Sequence, residues 1–240
     1  MRWKLAFRDS VSSIMTLSRP DSVTRFGILG AGRAGTALAR VAHQAGFEVD
    51  IAASRPPRAL KYHLAQYAPH AHAVEADEIA AEVDLVVLMV PQEDLDDVDP
   101  ETLSGVVLVD ATNRWEEEPL PAWLQALRSE GLSSSEAVAA HFSSTLAVVK
   151  ALNHISHWDL DAADRFTATP RRASALATDV PQVATLVAGM LDQLGFAPVT
   201  LPNLASGWVL EPGEKLFNRP MDAEVMIDEL RYLLPGSRQD

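Results

Sequence analysis

Near its start the chain carries Arg25-Phe26-Gly27-Ile28-Leu29-Gly30-Ala31-Gly32-Arg33-Ala34-Gly35, a stretch that leaves little freedom in what can fold around it. Phe26 to Leu29 reads as a short buried strand. Gly30, Gly32 and Gly35 follow in G-x-G-x-x-G spacing, and Leu38, Val41 and Ala42 then recur at helical intervals. Each glycine answers a different steric demand: Gly30 permits the tight turn, Gly32 the approach of a pyrophosphate, and Gly35 close packing of helix on strand. The free N–H groups of the helix N-terminus then face an anion. The hexapeptide alone also arises by chance or as a plain turn. Its place between a strand and a helix that Gly46 ends points to dinucleotide binding through Gly30, Ala31, Gly32, Arg33, Ala34 and Gly35.

The second strand, Phe47 to Ala53, stops at Ser54-Arg55-Pro56-Pro57. Folds that select NAD carry an Asp or Glu about 20 residues beyond the glycines, where it binds the ribose hydroxyls. Here Ser54 holds that place, with Arg55, Arg58 and Lys61 close behind. A 2′-phosphate is repelled by a carboxylate and held by a guanidinium fork and a hydroxyl, so the expected cofactor is NADP(H). The bland alternative is a solvated basic turn.

Further along, Arg58 to Tyr67 reads as a helix, Ala73-Val74 as a short third strand and Asp77 to Glu82 as a helical turn or two. Val83 to Val90 is nearly continuous in apolar residues, as in a central parallel strand closed by Pro91. Ligands of such sheets lie beyond the carboxyl ends of the strands, which puts Val90, Pro91 and Gln92 beside the nicotinamide half of the cofactor, unless they only end the strand. Glu93 to Glu101 reads as a solvated acidic face. Gly105 to Asp110 is another strand, after which Thr112 and Asn113 either bond the ribose or carboxamide or merely turn the chain. Ser133 to Glu136 has capping-box spacing and starts a helix through Ala140. Strands are expected at Leu146 to Asn153, Ala173 to Ala177 and Phe196 to Leu201. A helix spans Val183 to Leu194, a loop Trp208 to Asn218, and a last helix Met221 to Leu233.

These alternations predict an α/β fold: a Rossmann-type, doubly wound, mostly parallel sheet with a small C-terminal α/β extension. Residues 1–24 read as a flexible tail, with Met15 a second possible start, residues 25–153 as the NADP-binding domain, and residues 154–240 as a small portion for substrate or oligomer contacts. A formal net charge of −13 disfavours nucleic acid and anionic membranes. The chain has no cysteine, which excludes disulfides, thiolate metal sites and cysteine nucleophiles. No metal site is assigned. With no bilayer-length apolar run and no signal-like leader, the expected location is the cytoplasm.

In order along the chain, Gly27 to Gly35, Ser54-Arg55, Val90-Pro91, Asp110-Ala111-Thr112-Asn113, Ser134-Ser135-Glu136, Val148 to Asn153 and Leu194-Gly195-Phe196 resemble the F420-dependent NADP reductases. The resemblance covers about Arg25 to Asn218. It implies direct hydride transfer between NADPH and a deazaflavin, coenzyme F420, in a cleft between the Rossmann domain and the C-terminal portion, and allows a homodimer. Such a transfer needs positioned rings more than an acid or base, so no catalytic side chain is assigned. His141, His154 and His157 are candidates for a proton relay, against the plainer reading of packed or exposed histidines. Arg114-Trp115 replaces a proline common in the family after the Thr-Asn pair, and Leu152 a common Phe, both near the acceptor. The acceptor pocket is expected between Val90, Pro91, Asn113 and Asn153 to Ile155, with Leu210 to Gly213 as a lid, and F420, a flavin or a quinone would fit it. The alternatives are a reductase of imines or 3-hydroxy acids, whose relatives share the first half, and a non-catalytic NADP(H) sensor.

Overall fold

The computed structural model describes residues 22–115 and 119–234. Most of the expected tail, Met15 included, lies outside the described residues. Val23 and Thr24 do not behave as a tail: Val23 is buried, and the Thr24 N–H donates to Asp84 at 2.8 Å.

Eight strands form one sheet: β1 (Arg25–Leu29), β2 (Glu48–Ala52), β3 (His72–Ala73), β4 (Leu85–Leu88), β5 (Val107–Asp110), β6 (Ala147–Ala151), β7 (Ala173–Ala177) and β8 (Ala197–Thr200). Their order is β3-β2-β1-β4-β5-β6-β7-β8. Strands β1 to β6 run parallel, β7 is antiparallel to β6, and β8 is parallel to β7. The strand order reverses between β1 and β4, the switch point at which a doubly wound sheet opens a crevice beyond its carboxyl ends. The α/β Rossmann-type fold holds, and β7 and β8 extend the same sheet.

Burial on both faces explains the uninterrupted apolar strands. On one face Leu85, Val87, Val107 and Val109 pack against α1 (Arg33–Gln44), α2 (Pro57–Tyr67) and α6 (Pro181–Gln193) through Leu38, Val41, Leu60, Val187 and Leu191. On the other, Val86, Leu88 and Leu108 meet α3 (Ala122–Ser129) and α4 (Ser134–His141) through Leu124, Ala137 and Val138. The short helix α5 (His157–Leu160) packs on α1. A smaller core joins Ala173, Ala175 and Val199 to Met226 and Leu230 of α7 (Ala223–Leu233).

Some local expectations change. Helix α3 is not evident in the sequence, because its eight residues bury Leu124 alone. Asp77 to Glu82 shortens to a 3-10 turn, Ala76–Glu78. The acidic stretch is not a plain solvated face. It forms two 3-10 turns, Gln92–Asp97 and Pro100–Leu103, that bury Leu95 and Leu103, and it carries the Glu93 side chain to 3% exposure. The Glu93 carboxylate accepts the Trp115 N–H at 3.1 Å and lies 4.0 Å from Arg114. The expected loop from Trp208 begins inside another 3-10 turn, Ala205–Leu210.

Candidate functional site

The glycine turn divides its labour as the spacing predicts. Gly30 has φ +127°, a conformation that favours glycine, and its N–H donates to the Ala52 carbonyl at 2.8 Å. A Cβ on Gly35 would fall on the Gly30 carbonyl oxygen, well inside van der Waals contact. Gly35→Ala should therefore break the packing of α1 on β1, and a melting temperature unchanged from the parent would refute this. Gly32 is exposed, and a Cβ there would meet nothing within 4 Å. That open space lies at the N-cap of α1, whose first turn has neither a capping side chain nor an acid, so its N–H groups stay available to an anion. Ala31 is buried, its carbonyl 2.9 Å from His63 Nε2, while Arg33 is exposed and Ala34 half-buried.

Ser54 and Arg55 lie in the exposed bend after β2 and Arg58 in the first turn of α2, and neither arginine forms an ion pair with another described residue. The nearest carboxylate in sequence, Asp50, is buried within β2 and bound by Arg25 and His72 at 2.9 and 3.1 Å. The charge offered at the end of β2 is positive.

Beyond β4 and β5 lies a buried polar network. Lys150 and Asp110, register partners on β6 and β5, are both fully buried, with Nζ 3.2 Å from Oδ2. Lys150 also donates to the Thr112 carbonyl at 2.9 Å. Asp110 accepts the Ser135 hydroxyl at 2.5 Å, the Thr112 hydroxyl at 2.6 Å and the Thr112 N–H at 2.9 Å. Asn113 and Asn153 bond one another, Asn113 to the Asn153 carbonyl at 2.7 Å and Asn153 to the Asn113 side chain at 3.2 Å. Asn153 reaches the Leu210 carbonyl as well, at 2.7 Å. Leu152, between these groups, holds φ +64°, rare for a branched residue. Thr112 and Asn113 thus spend their side chains on shaping the loop. This network has only a faint signature in the sequence: a lysine inside one apolar strand and an aspartate ending another.

Gln92 is buried; its backbone N–H donates to the Asn113 carbonyl at 3.0 Å and its Nε2 lies 3.4 Å from Thr112 Oγ1. Its Oε1 has no partner among the described residues. Gln92 opens onto a cavity of about 570 Å3 whose wall includes Arg114, Leu120, Arg128, Glu211 and Pro212. Val90 and Pro91 are half-buried just before it in the chain. The expected pocket wall shifts accordingly. Asn153, His154 and Ile155 are buried in the packed interior, Leu210 is buried with them, and the cavity is bounded on the far side by α3. Bonding to Asn113, Leu210, Ala175 and Asn218 draws residues 153–155 inward.

The histidines divide by environment. His141 stacks on Trp123 at 3.8 Å, and His157 contacts Trp158. His154 is buried, and its Nε2 accepts the Ala175 N–H at 3.1 Å. Burial, with lesser contributions from Arg172 and Lys150, pushes its pKa down to about 3, so it is neutral at pH 7. The unfolded chain binds this proton near pH 6.5 and the folded one only near 3, so His154 lowers stability as pH falls through that window, by up to about 1.4 kcal/mol per pH unit. In His154→Gln the pH dependence of urea-unfolding free energy should weaken by about one proton between these limits. An identical slope would refute the assignment.

Comparison with known proteins fits this geometry. Residues 25–114 match the profile of a family described as NADP oxidoreductase, coenzyme F420-dependent. The resemblance to the F420-dependent NADP reductases is shown. Residues 25–114 resemble the Rossmann part of NAD(P)-dependent oxidoreductases, and the match ends at Arg114, on the cavity wall. A hypothetical protein from Sinorhizobium meliloti is 29% identical, with TM-score 0.70 over 82% of this chain and 95% of that one. A putative F420-dependent NADP-reductase from Arthrobacter is 22% identical, with TM-score 0.61 over 88% and 95%. An imine reductase from Myxococcus stipitatus in complex with NADP+ is 17% identical, with TM-score 0.51 over 89% of this chain and 63% of that one. The last two share the fold, and the imine reductase does so well beyond the first half. No curated protein matches the sequence. No helix among the described residues is long and apolar enough to cross a membrane.

Proposed function

We propose that this F420-dependent NADP reductase relative moves hydride between NADPH and a planar small-molecule acceptor, with coenzyme F420 the leading choice. The observation that carries the cofactor half is the pairing of an open Gly32 cradle with exposed Arg55 and Arg58, which form no ion pair among the described residues, where an NAD-selective fold keeps an acid. NADPH, when bound, supplies the hydride. The chain's own part is to bind and orient. The α1 N–H groups receive the pyrophosphate, Ser54 and Arg55 receive the 2′-phosphate, and the buried Lys150–Asp110 network fixes the loop from Thr112 to Asn113. The cavity beside Gln92 receives the acceptor ring.

Arg55→Ala should weaken NADPH by about 1.5–3 kcal/mol, the range of a charged hydrogen bond, and leave NADH nearly unchanged. Titration calorimetry with both cofactors checks this, and equal weakening of the two would refute the 2′-phosphate role. For the acceptor half, anaerobic NADPH oxidation is followed with F420, a flavin and a quinone in turn. Turnover with F420 supports the leading choice, and binding of NADPH without oxidation by any of them would favour a sensor.

A further inference from the structure

Arg114 stands in the wall of the cavity with a second guanidinium, Arg128. The two carboxylates beside them are recessed: the side chains of Glu93 and Glu211 are 3% and 11% exposed, against 47% and 36% for Arg114 and Arg128. Glu211 is also heavily engaged. Its Oε1 accepts the Ser134 N–H at 3.1 Å and hydroxyl at 2.7 Å, and its Oε2 takes Arg128 at 3.1 Å. A guanidinium has five N–H donors in a fixed fork, and Arg128 spends one of them on Glu211. The cavity wall therefore carries two partly exposed guanidinium groups, with the Glu211 carboxylate in the same wall but recessed and engaged. In a chain of net charge −13 such a face attracts an anion only through local placement of this kind. Gln92, also in the cavity wall and 2% exposed, keeps one amide atom without a partner among the described residues, and a flipped amide would still leave one so.

We propose that the cavity is an oxyanion-bearing acceptor's site. Arg114 and Arg128 would receive a carboxylate or phosphate group of the acceptor, and Gln92 a polar group of its ring. This rests on the reading of the cavity as the acceptor site, and it narrows the acceptor class: neutral quinones are excluded as preferred partners. The guanidinium forks suit paired oxygens of either group.

Equilibrium binding separates this claim from the hydride reaction itself. Phthalate, phenyl phosphate and the neutral phthalamide are titrated calorimetrically into the NADP+-saturated full chain. At least one of the two anions should bind ten or more times more tightly than phthalamide, and the tighter one identifies the oxyanion. In Arg114→Gln and in Arg128→Gln that preference should fall at least fivefold, with melting curves showing that each variant remains folded. Should Arg128→Gln lose its fold through the orphaned Glu211, the exposed Arg114→Gln decides alone. Equal or absent binding of anions and amide, or a preference that survives Arg114→Gln, overturns the proposal even if F420 is turned over. Conversely, failure of NADPH to bind removes the cofactor reading, and the anion titration is then repeated on the cofactor-free protein, where the same preferences are required.

Discussion

Lys150→Met should cost the folded protein about 3–5 kcal/mol, because it leaves a buried carboxylate without its cation. Lys150 and Asp110 are both fully buried and face one another across β5 and β6. The hydroxyls of Thr112 and Ser135 and the Thr112 N–H would still bond Asp110, but they carry no full charge. The Thr112 carbonyl loses its donor as well, so the turn that leads to Asn113 loosens. Little room exists for relaxation, since Gly207 packs so closely on the Lys150 stem that an added Cβ would lie 3.1 Å from it. Urea denaturation of Lys150→Met, Asp110→Asn and the double variant tests this. The double variant should be less destabilised than the sum of the singles, because it removes both charges together. A loss below about 1 kcal/mol for Lys150→Met, or strict additivity, would show that the charges are not coupled.

Gly32→Val should abolish measurable NADPH binding, a loss on the order of 100-fold or more, equivalent to at least about 2.7 kcal/mol, while the protein stays folded. The two halves of this expectation have separate grounds. A Cβ at Gly32 finds nothing within 4 Å, and the residue has an ordinary φ of −78°, so the substitution brings no Cβ clash with the described residues and no backbone strain. The same side chain projects into the space before the free N–H groups of α1, which a pyrophosphate needs. Calorimetric titration beside a melting curve separates the two. An unchanged NADPH affinity would remove the phosphate-cradle assignment, and Gly35→Ala provides the contrast, since its penalty falls on the fold.

Where sequence reading succeeded, the determinants are local. The glycine turn is legible because each glycine answers a demand set within a few residues or by the adjacent strand. Strands β4 and β5 are legible because burial on both faces requires unbroken apolar runs. The capping box at Ser133 and Glu136 also depends on neighbours alone, and both of its bonds are present. The acidic stretch misled for the opposite reason. Its composition is that of a solvated face, yet Leu95 and Leu103 anchor it to a distant core and draw Glu93 inward beside Arg114 and the Trp115 N–H.

By itself, the sequence determined the strand–turn–helix that can cradle a pyrophosphate, the absence of an acid at the end of β2, and the periodicities that require a sheet covered on both faces. These follow from backbone sterics and the spacing of apolar side chains, which act over short stretches of chain. Only the tertiary structure decided that Lys150 meets Asp110, that residues 153–155 turn into the packed interior, and that Arg114 joins Arg128 and Gln92 around one cavity. Lys150 and Asp110 are 40 positions apart, and Arg128 and Glu211 are 83 apart. Burial strengthens such pairings, and strand order and register choose them, so the residues that shape the acceptor site acquire their roles only when the sheet closes.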